Sequence, residues 1–434
     1  MKTTPRVLVI GGGLAGLSGA FHMRELEPDL YEKESKVGGV CRSFHQDGFT
    51  FDVTGHLLHL KHDYTKDLID RLLPDTLIPH DRRAAIYSNQ VTTPYPFQAN
   101  TYGLPPEVVR DCLMGFIDSL DADHRNAENF HEWALETFGA GVARHFMHPF
   151  NEKFWKTDLR EITADWVSWS IPKPTLKEVV DGALGIENKG MGYNPRFSYP
   201  RKGGIDCLPN ALAKKLTSIH NQHQVSSIDL DRSVVCFTNG HEASFEYLLT
   251  TIPLPVIFEL IEDAPDHLLA AARKLRAISV LDFNVGIDRP NISDKHWVYY
   301  PEPEYVFTRV GFPGNFSDDA VPPGTSSMYI EITHPTGTTL NTEEFYERAI
   351  GDLHRCGILN PDDNVVTRHV VDIEYAYVLF DKHRQKFLPE LIEYLSSNNI
   401  LTCGRYGEWD YYSMEDSILS GKRAAEEIAT RVRS

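Results

Sequence analysis

A glycine-spaced turn ten residues from the start constrains this chain more than any other feature. Residues 6 to 10 (Arg-Val-Leu-Val-Ile) form a short apolar run suited to a buried parallel strand. Gly11, Gly13 and Gly16 follow at G-x-G-x-x-G spacing, and Leu14 to Arg24 has a helix-like apolar pattern. Glu32 closes a second short strand. Each part has a mechanical role in holding a dinucleotide. Gly11 makes the tight turn, Gly13 lets the backbone approach a pyrophosphate, and Gly16 lets helix and strand pack closely. The free N–H groups and positive dipole end of the helix favour the phosphates. Glu32 stands where a ribose-binding acid is expected.

The next segment separates a flavin from a nicotinamide. Gly38-Gly39-Val40-Cys41-Arg42-Ser43 is a second glycine turn directly after the acid, followed by Phe49-Thr50-Phe51-Asp52-Val53-Thr54-Gly55-His56. Together they resemble the GG-x-x-R-S … D-x-G-x-H run of the amine-oxidase-like FAD family, with Thr54 at the place of that run's last glycine and Gly55 one residue on. The family includes amine oxidases, protoporphyrinogen oxidase, phytoene desaturase and UDP-galactopyranose mutase. A nicotinamide dehydrogenase would share the first turn but leaves the second glycine pair and Arg42 unexplained. The resemblance implies FAD, with Gly11, Gly13, Gly16, Glu32, Gly38, Gly39, Arg42, Gly55 and His56 around it.

Forty-three basic against 61 acidic residues give a net charge of −18, which argues against nucleic acid as a partner. An anionic substrate would have to be met by a local cluster of arginines. The six cysteines (41, 112, 207, 236, 356 and 403) are scattered, with no C-x-x-C pair. That pattern suits reduced thiols better than a disulfide frame or a zinc site. No apolar run has the length of a transmembrane helix, and a strand beginning at residue 6 leaves no room for a signal peptide. A cytoplasmic location is expected.

The expected fold is α/β: a Rossmann-type FAD-binding domain, an inserted helical domain and a mostly antiparallel β-sheet substrate domain. The FAD domain is assembled from residues 1–92, 199–260 and 396–434, the helical domain from 93–198 and the sheet domain from 261–395. Pro105-Pro106-Glu107 reads as a helix start. A helix is expected over about 209–216, then strands over 224–230, 233–237 and 247–251. Val225 would return to the adenine side. Further strand-like alternation covers 280–287, 297–300, 305–312 and 327–332. Ile400 to Arg405 reads as a strand ending in a turn, leading through Met414-Glu415-Asp416-Ser417 into a terminal helix. By the same likeness, Gly404 and Arg405 fall by the pyrophosphate, and Asp416 and Ser417 near the ribityl chain or ring edge.

Within that family the chain is most similar to the UDP-galactopyranose mutase branch. The likeness is carried by Gly55-His56 with His59 and His62, by Pro94 to Asn100, and by Phe146 to Trp155. It continues in Trp297 to Pro301 leading to Arg309, and in Gly404 to Trp409. It implies that Phe97, Gln98, Asn151 and Trp155, with Tyr95, hold a uracil ring. Arg309 then grips the diphosphate, with Tyr377 and Tyr411 beside it, and His56 contacts the flavin. The implied reaction is a net non-redox interconversion of pyranose and furanose forms of a nucleotide sugar. It uses reduced FAD as nucleophile, with NAD(P)H as a candidate external reductant. His56, His59 and His62 have a spacing that invites a metal reading, but no cysteine or carboxylate cluster completes a ligand set, so no metal is expected.

Two departures keep other readings open. The family's second diphosphate arginine aligns with Ser170, for which Arg160, Lys173 or Arg196 are candidate replacements. The segment Tyr375 to Asp381 also lacks the proline-rich tyrosine motif. A FAD-dependent oxidoreductase of the amine oxidase or protoporphyrinogen oxidase type is the rival enzyme, and a non-catalytic flavoprotein subunit is a third reading.

Overall fold

The computed structural model describes residues 5–120, 127–167, 171–186, 188, 191 and 195–433. The four side chains of Val7–Ile10 are all buried, as befits a strand covered on both faces. It lies at the centre of a five-stranded parallel sheet in the order Ile400–Thr402, Tyr247–Thr250, Val7–Ile10, Asp29–Tyr31, Ile219–His220. The sheet therefore draws its strands from the beginning, middle and end of the chain. The first helix, Leu14–His22, and the terminal helix, Met414–Arg433, pack on each other. Small residues permit the approach: a Cβ on Gly421 would lie 2.1 Å from the Ala15 carbonyl oxygen.

A second sheet has seven strands, in the order Val365–Val378, Ala277–Ile287, Ser326–Pro335, Arg309–Gly311, Trp297–Tyr299, Ala84–Ser88, Val91–Pro94. Its pairs are antiparallel except Trp297–Tyr299 with Ala84–Ser88. Within the segment 1–92, the strand starting at Ala84 already belongs to this sheet. The helical insertion supplies Pro106–Ser119, Phe130–Val142, His148–Trp155 and Leu176–Ala183. One core of buried side chains runs from Leu8 and Ile10 through Phe97, Phe146 and Trp155 to Ile278 and Val378, joining all three parts.

Several elements differ from the sequence expectation. The strand read over 305–312 shrinks to Arg309–Gly311. Upstream of it, the N–H of Val306 donates to the Asp352 carboxylate at 2.6 Å, so a side chain has taken the place of a ladder partner. Thr342–Arg355 and Lys382–Ser397 are helices within the region read as sheet. The first buries Ala349 and Leu353 against the sheet and is capped by the Asn341 side chain. The long strand Val365–Val378 runs beside Ala277–Ile287 with two register shifts, which break the simple alternation that would reveal it. Among the described residues, no helix is long and apolar enough to cross a membrane.

Candidate functional site

The first glycine turn has the geometry its spacing implies. Gly11 takes φ +101°, and a Cβ there would lie 2.0 Å from Thr251 Oγ1. A Cβ on Gly16 would lie 2.0 Å from the Gly11 carbonyl oxygen. At Gly13 the nearest atom is the Gly39 Cα at 3.9 Å, so the two glycine turns face each other with backbone exposed between them. Glu32 is buried, and its carboxylate accepts from the N–H of Gly12 at 2.6 Å and of Glu34 at 2.9 Å. The carbonyl of Glu32 accepts from His223 N–H at 2.9 Å, which brings Val225 to the same edge. Gly404, at φ +81°, closes over Ala15 at the start of the first helix.

Three groups along this groove have buried polar atoms with no protein partner: Nε of Arg42, Nε and Nη2 of Arg405, and Nδ1 of His56. Orphaned buried donors are costly unless something occupies the space they face. A dinucleotide cradle lined by unspent guanidinium and imidazole nitrogens fits a flavin dinucleotide. Asp416 and Ser417 are turned inward on their own helix. The Asp416 carboxylate accepts from Ser413 N–H and Oγ, and Ser417 Oγ donates to the Ser413 carbonyl.

The segment from Asp52 to His56 is held from beneath. The buried Asp52 carboxylate accepts from Ser43 Oγ at 2.6 Å, Tyr199 OH at 2.6 Å and Ile205 N–H at 3.2 Å. It knits the hairpin Ser43–Asp52 to residues 199–205, a role the bare sequence does not disclose. Burial nevertheless pushes its pKa up to about 6, against those three donors. Thr54 is left-handed at φ +60°, and a Cβ on Gly55 would lie 2.3 Å from the Tyr329 hydroxyl, so only glycine fits. Burial lowers the His56 imidazole to about 4, with Arg309 and Arg405 adding to the effect. It therefore presents a neutral ring.

Beside His56 is a chamber of arginines and tyrosines. Arg309 pairs with the buried Glu331 at two points, Nε to Oε2 at 2.8 Å and Nη2 to Oε1. Burial opposes its charge, but Glu331 and the surrounding Tyr329, Tyr377 and Tyr299 more than offset this, so the guanidinium stays ionised. Arg405 lies over the rings of Tyr377 at 4.6 Å and Tyr411 at 4.5 Å, which stack at 5.6 Å. Tyr95 stands 5.8 Å from Tyr299, whose ring meets the edge of Phe150. Arg82 lies 4.7 Å over the Tyr95 ring. This third guanidinium was missed in sequence because it sits between two strands of different sheets with no motif around it.

The residues named for the base and the diphosphate spread over two environments. Tyr95, Tyr377, Tyr411 and Arg309 share the chamber. Phe97 is fully buried and stacks on Phe146 at 4.9 Å, and the Gln98 amide donates to the Pro172 carbonyl at 2.7 Å. The Asn151 amide donates to the Met147 carbonyl, just before the start of its helix, at 2.7 Å. Trp155 is buried against Trp166 and Phe154, with one edge lining an outer cavity of about 370 Å³ beside Arg276 and Tyr375. Ser170 lies outside the described residues. Its candidate replacements point elsewhere: Arg160 pairs with Asp158, Lys173 lies over Trp133, and Arg196 pairs with Asp81. The three spaced histidines separate, His59 to the Arg196 carbonyl and His62 to Glu415, while His56 faces the chamber. No group of three potential metal ligands occurs among the described residues.

Known proteins share this architecture. A crystal structure of reduced UDP-galactopyranose mutase aligns over all of this chain and 95% of its own, at 27% identity and a TM-score of 0.94. A candidate protoporphyrinogen oxidase from Exiguobacterium sp. 255-15 aligns over 99% of both chains at 16% identity and a TM-score of 0.76, a likeness of fold. In sequence, coproporphyrinogen III oxidase of Mycobacterium tuberculosis is 31% identical over 302 residues. That match covers 64% of this chain and spans 65% of that enzyme's length. The model of the flavin-containing amine oxidoreductases matches residues 14–429, and with the cradle described above it identifies the chain as a member of that family.

Proposed function

We propose that the protein is a flavin-dependent, net non-redox mutase that interconverts the pyranose and furanose forms of a nucleotide sugar, in the manner of UDP-galactopyranose mutase. The observation that carries the reading is the chamber. Arg309, Arg405 and Arg82 converge with Tyr95, Tyr299, Tyr377 and Tyr411 in a chain of net charge −18. A polyene or simple amine gives no reason to gather guanidinium groups, whereas an anion does, a diphosphate foremost and the carboxylates of a porphyrinogen as its rival. The 27% identity to a reduced UDP-galactopyranose mutase over the whole chain supports the same choice.

FAD would be held by the Gly11–Gly16 turn, Glu32, Gly38, Gly39, Arg42 and Gly404. Bound there in reduced form, it supplies an electron-rich nitrogen for attack on an anomeric carbon. The chain's own residues bind and orient. Arg309, fixed by Glu331, offers its remaining N–H to the leaving diphosphate. Arg405 lies against the stacked pair Tyr377 and Tyr411, and its Nη1 donates to the Tyr412 carbonyl at 3.1 Å. Neutral His56 can donate a hydrogen bond without adding charge beside the flavin. The aromatic walls from Phe150 to Tyr377 exclude water from an exposed anomeric centre.

The 31% identity to coproporphyrinogen III oxidase favours the alternative, a flavin-dependent oxidoreductase. The test is direct. Flavin-loaded protein reduced with dithionite is expected to bind UDP and to isomerise UDP-galactopyranose, with activity lost on reoxidation. Oxygen consumption with coproporphyrinogen III, and no UDP binding in either redox state, would replace the mutase with the oxidase.

A further inference from the structure

Strands Ala277–Ile287 and Ser326–Pro335 place two acids directly opposite each other: Asp282 faces Glu331. On the same face Asn284 is opposite Tyr329 and Gly286 is opposite Ser327. Side chains so paired are neighbours. Both carboxyls are buried, and they are not served alike. Glu331 holds Arg309 at two points. The Oδ2 atom of Asp282 accepts from the Asn284 amide at 2.7 Å, while its Oδ1 has no partner within hydrogen-bond distance and no cation among the described residues pairs with the group. A carboxylate taken out of water without a cation, beside a second carboxylate, is strongly disfavoured against its neutral form.

The same face carries the His56 turn. The Asn284 amide also donates to the Asp52 carbonyl at 3.2 Å, the Tyr329 hydroxyl is pressed on Gly55, and the Thr54 N–H faces the Asp282 carboxyl. We propose that Asp282 is held as a neutral carboxylic acid and acts as a positioning residue. It seats residues 52–56 against the sheet and leaves Arg309 answering to a single negative charge. The second half of this role rests on Arg309 being the anion grip of the proposed function. Ionised, Asp282 would make the Arg309–Glu331–Asp282 triad net negative and oppose an anionic substrate.

The charged and titratable groups around Asp282 agree with this. Glu331 and Tyr329 face it from one strand and Arg309 from the strand beyond, with the Thr54 N–H coming from the turn. His369 on the other neighbouring strand is opposite Asn284. Burial, then the Glu331 charge, drive the Asp282 carboxyl well above the ordinary range, while Thr54, Arg309 and Asn284 oppose the shift and lose.

Infrared difference spectroscopy of the flavin-loaded protein, wild type minus Asp282→Asn, reads the carbonyl stretch of a protonated carboxylic acid. Recorded at about pH 8, above the range in which ordinary carboxyls and Asp52 ionise, the band is expected in the wild type and absent from the variant. Asp282→Asn keeps shape and neutrality, so flavin content, flavin spectrum and pyrophosphate affinity should stay within about twofold. As pH rises further, wild-type affinity for pyrophosphate should fall about tenfold, the equivalent of about 1.4 kcal/mol, while the variant stays level. No protonated-acid band in the wild type's own absolute spectrum at that pH overturns the assignment, and that reading needs no variant to fold. So does a folded Asp282→Asn protein with a lost or altered flavin spectrum. If the band is present but pyrophosphate binds neither protein, the anion grip falls and neutral Asp282 stands.

Discussion

The Arg309–Glu331 pair is the sharpest energetic commitment in the chamber, and a double-mutant cycle can weigh it. Glu331 is 2% exposed, and the Arg309 side chain is 17% exposed. Glu331→Met leaves the guanidinium with no counter-charge in a mostly buried site, at a cost of about 3–5 kcal/mol. Arg309→Met does the converse and leaves Glu331 opposite Asp282, two acids with no cation between them. That variant should recover part of its loss at low pH, because the stranded carboxyl binds a proton more tightly folded than unfolded. Its stability is then fully present below the unfolded pKa and drops as pH rises. The double substitution to Met removes both charges and should restore stability to within about 1 kcal/mol of wild type. It should not restore anion binding. Urea unfolding of flavin-loaded proteins gives the four stabilities, and calorimetry with pyrophosphate gives the affinities. If each single change costs less than about 1 kcal/mol, or if the double variant costs the sum of the two, the pair is not the closed, desolvated unit described here. If the double variant still binds pyrophosphate like wild type, Arg309 is not the grip.

Three further expectations follow from other parts of the site. Asp52, raised to about 6 by burial, binds its proton more tightly in the folded state, so it should cost the fold up to about 3 kcal/mol as pH rises from about 4 through about 6. Asp52→Asn should flatten that stretch of a stability–pH curve, and an unchanged curve would show that Asp52 does not titrate there. Arg82→Ala should weaken pyrophosphate binding about tenfold, the scale of one charge-assisted contact, with flavin content unaltered. Equal affinity would remove Arg82 from the chamber's function. Gly55→Ala puts a Cβ 2.3 Å from the Tyr329 hydroxyl and should cost about 1–3 kcal/mol while perturbing the flavin spectrum. A thermal midpoint and spectrum like wild type would refute the close approach.

The sequence discloses this molecule unevenly, and the unevenness has a physical pattern. Gly11, Gly13, Gly16 and Glu32 are legible because a backbone turn and a carboxylate solve the phosphate and ribose problem within one βαβ unit, where spacing is the signal. Asp52 and Glu415 are not, although each accepts three or more hydrogen bonds. Their donors lie in other segments: Ser43, Tyr199 and Ile205 for Asp52, and Lys61, His62 and Thr65 for Glu415. The helices Thr342–Arg355 and Lys382–Ser397 were read as sheet territory because strand alternation on either side of them drew the assignment. Their own helical period was the stronger local signal.

Arg82 makes the harder case. Nothing near it in sequence marks it, and the three cations named as candidate stand-ins for Ser170 all spend their charge on the surface. What brings Arg82 to Tyr95 is the hairpin of Ala84–Ser88 with Val91–Pro94, in which the Tyr95 N–H donates to the Ala84 carbonyl at 3.1 Å. The parallel pairing of Ala84–Ser88 with Trp297–Tyr299, across more than two hundred residues, carries Tyr299 to the same wall. A charge lost at one position of a chamber can be met from any strand that borders it, because an anion is held by field and hydrogen bonds rather than by chain position. Substrate class is therefore better read from the charges that face the chamber than from whether one aligned arginine is kept. On that measure three guanidinium groups facing four tyrosines favour an anion over a polyene or an amine, and it is the whole-chain likeness to UDP-galactopyranose mutase that turns the choice to a diphosphate.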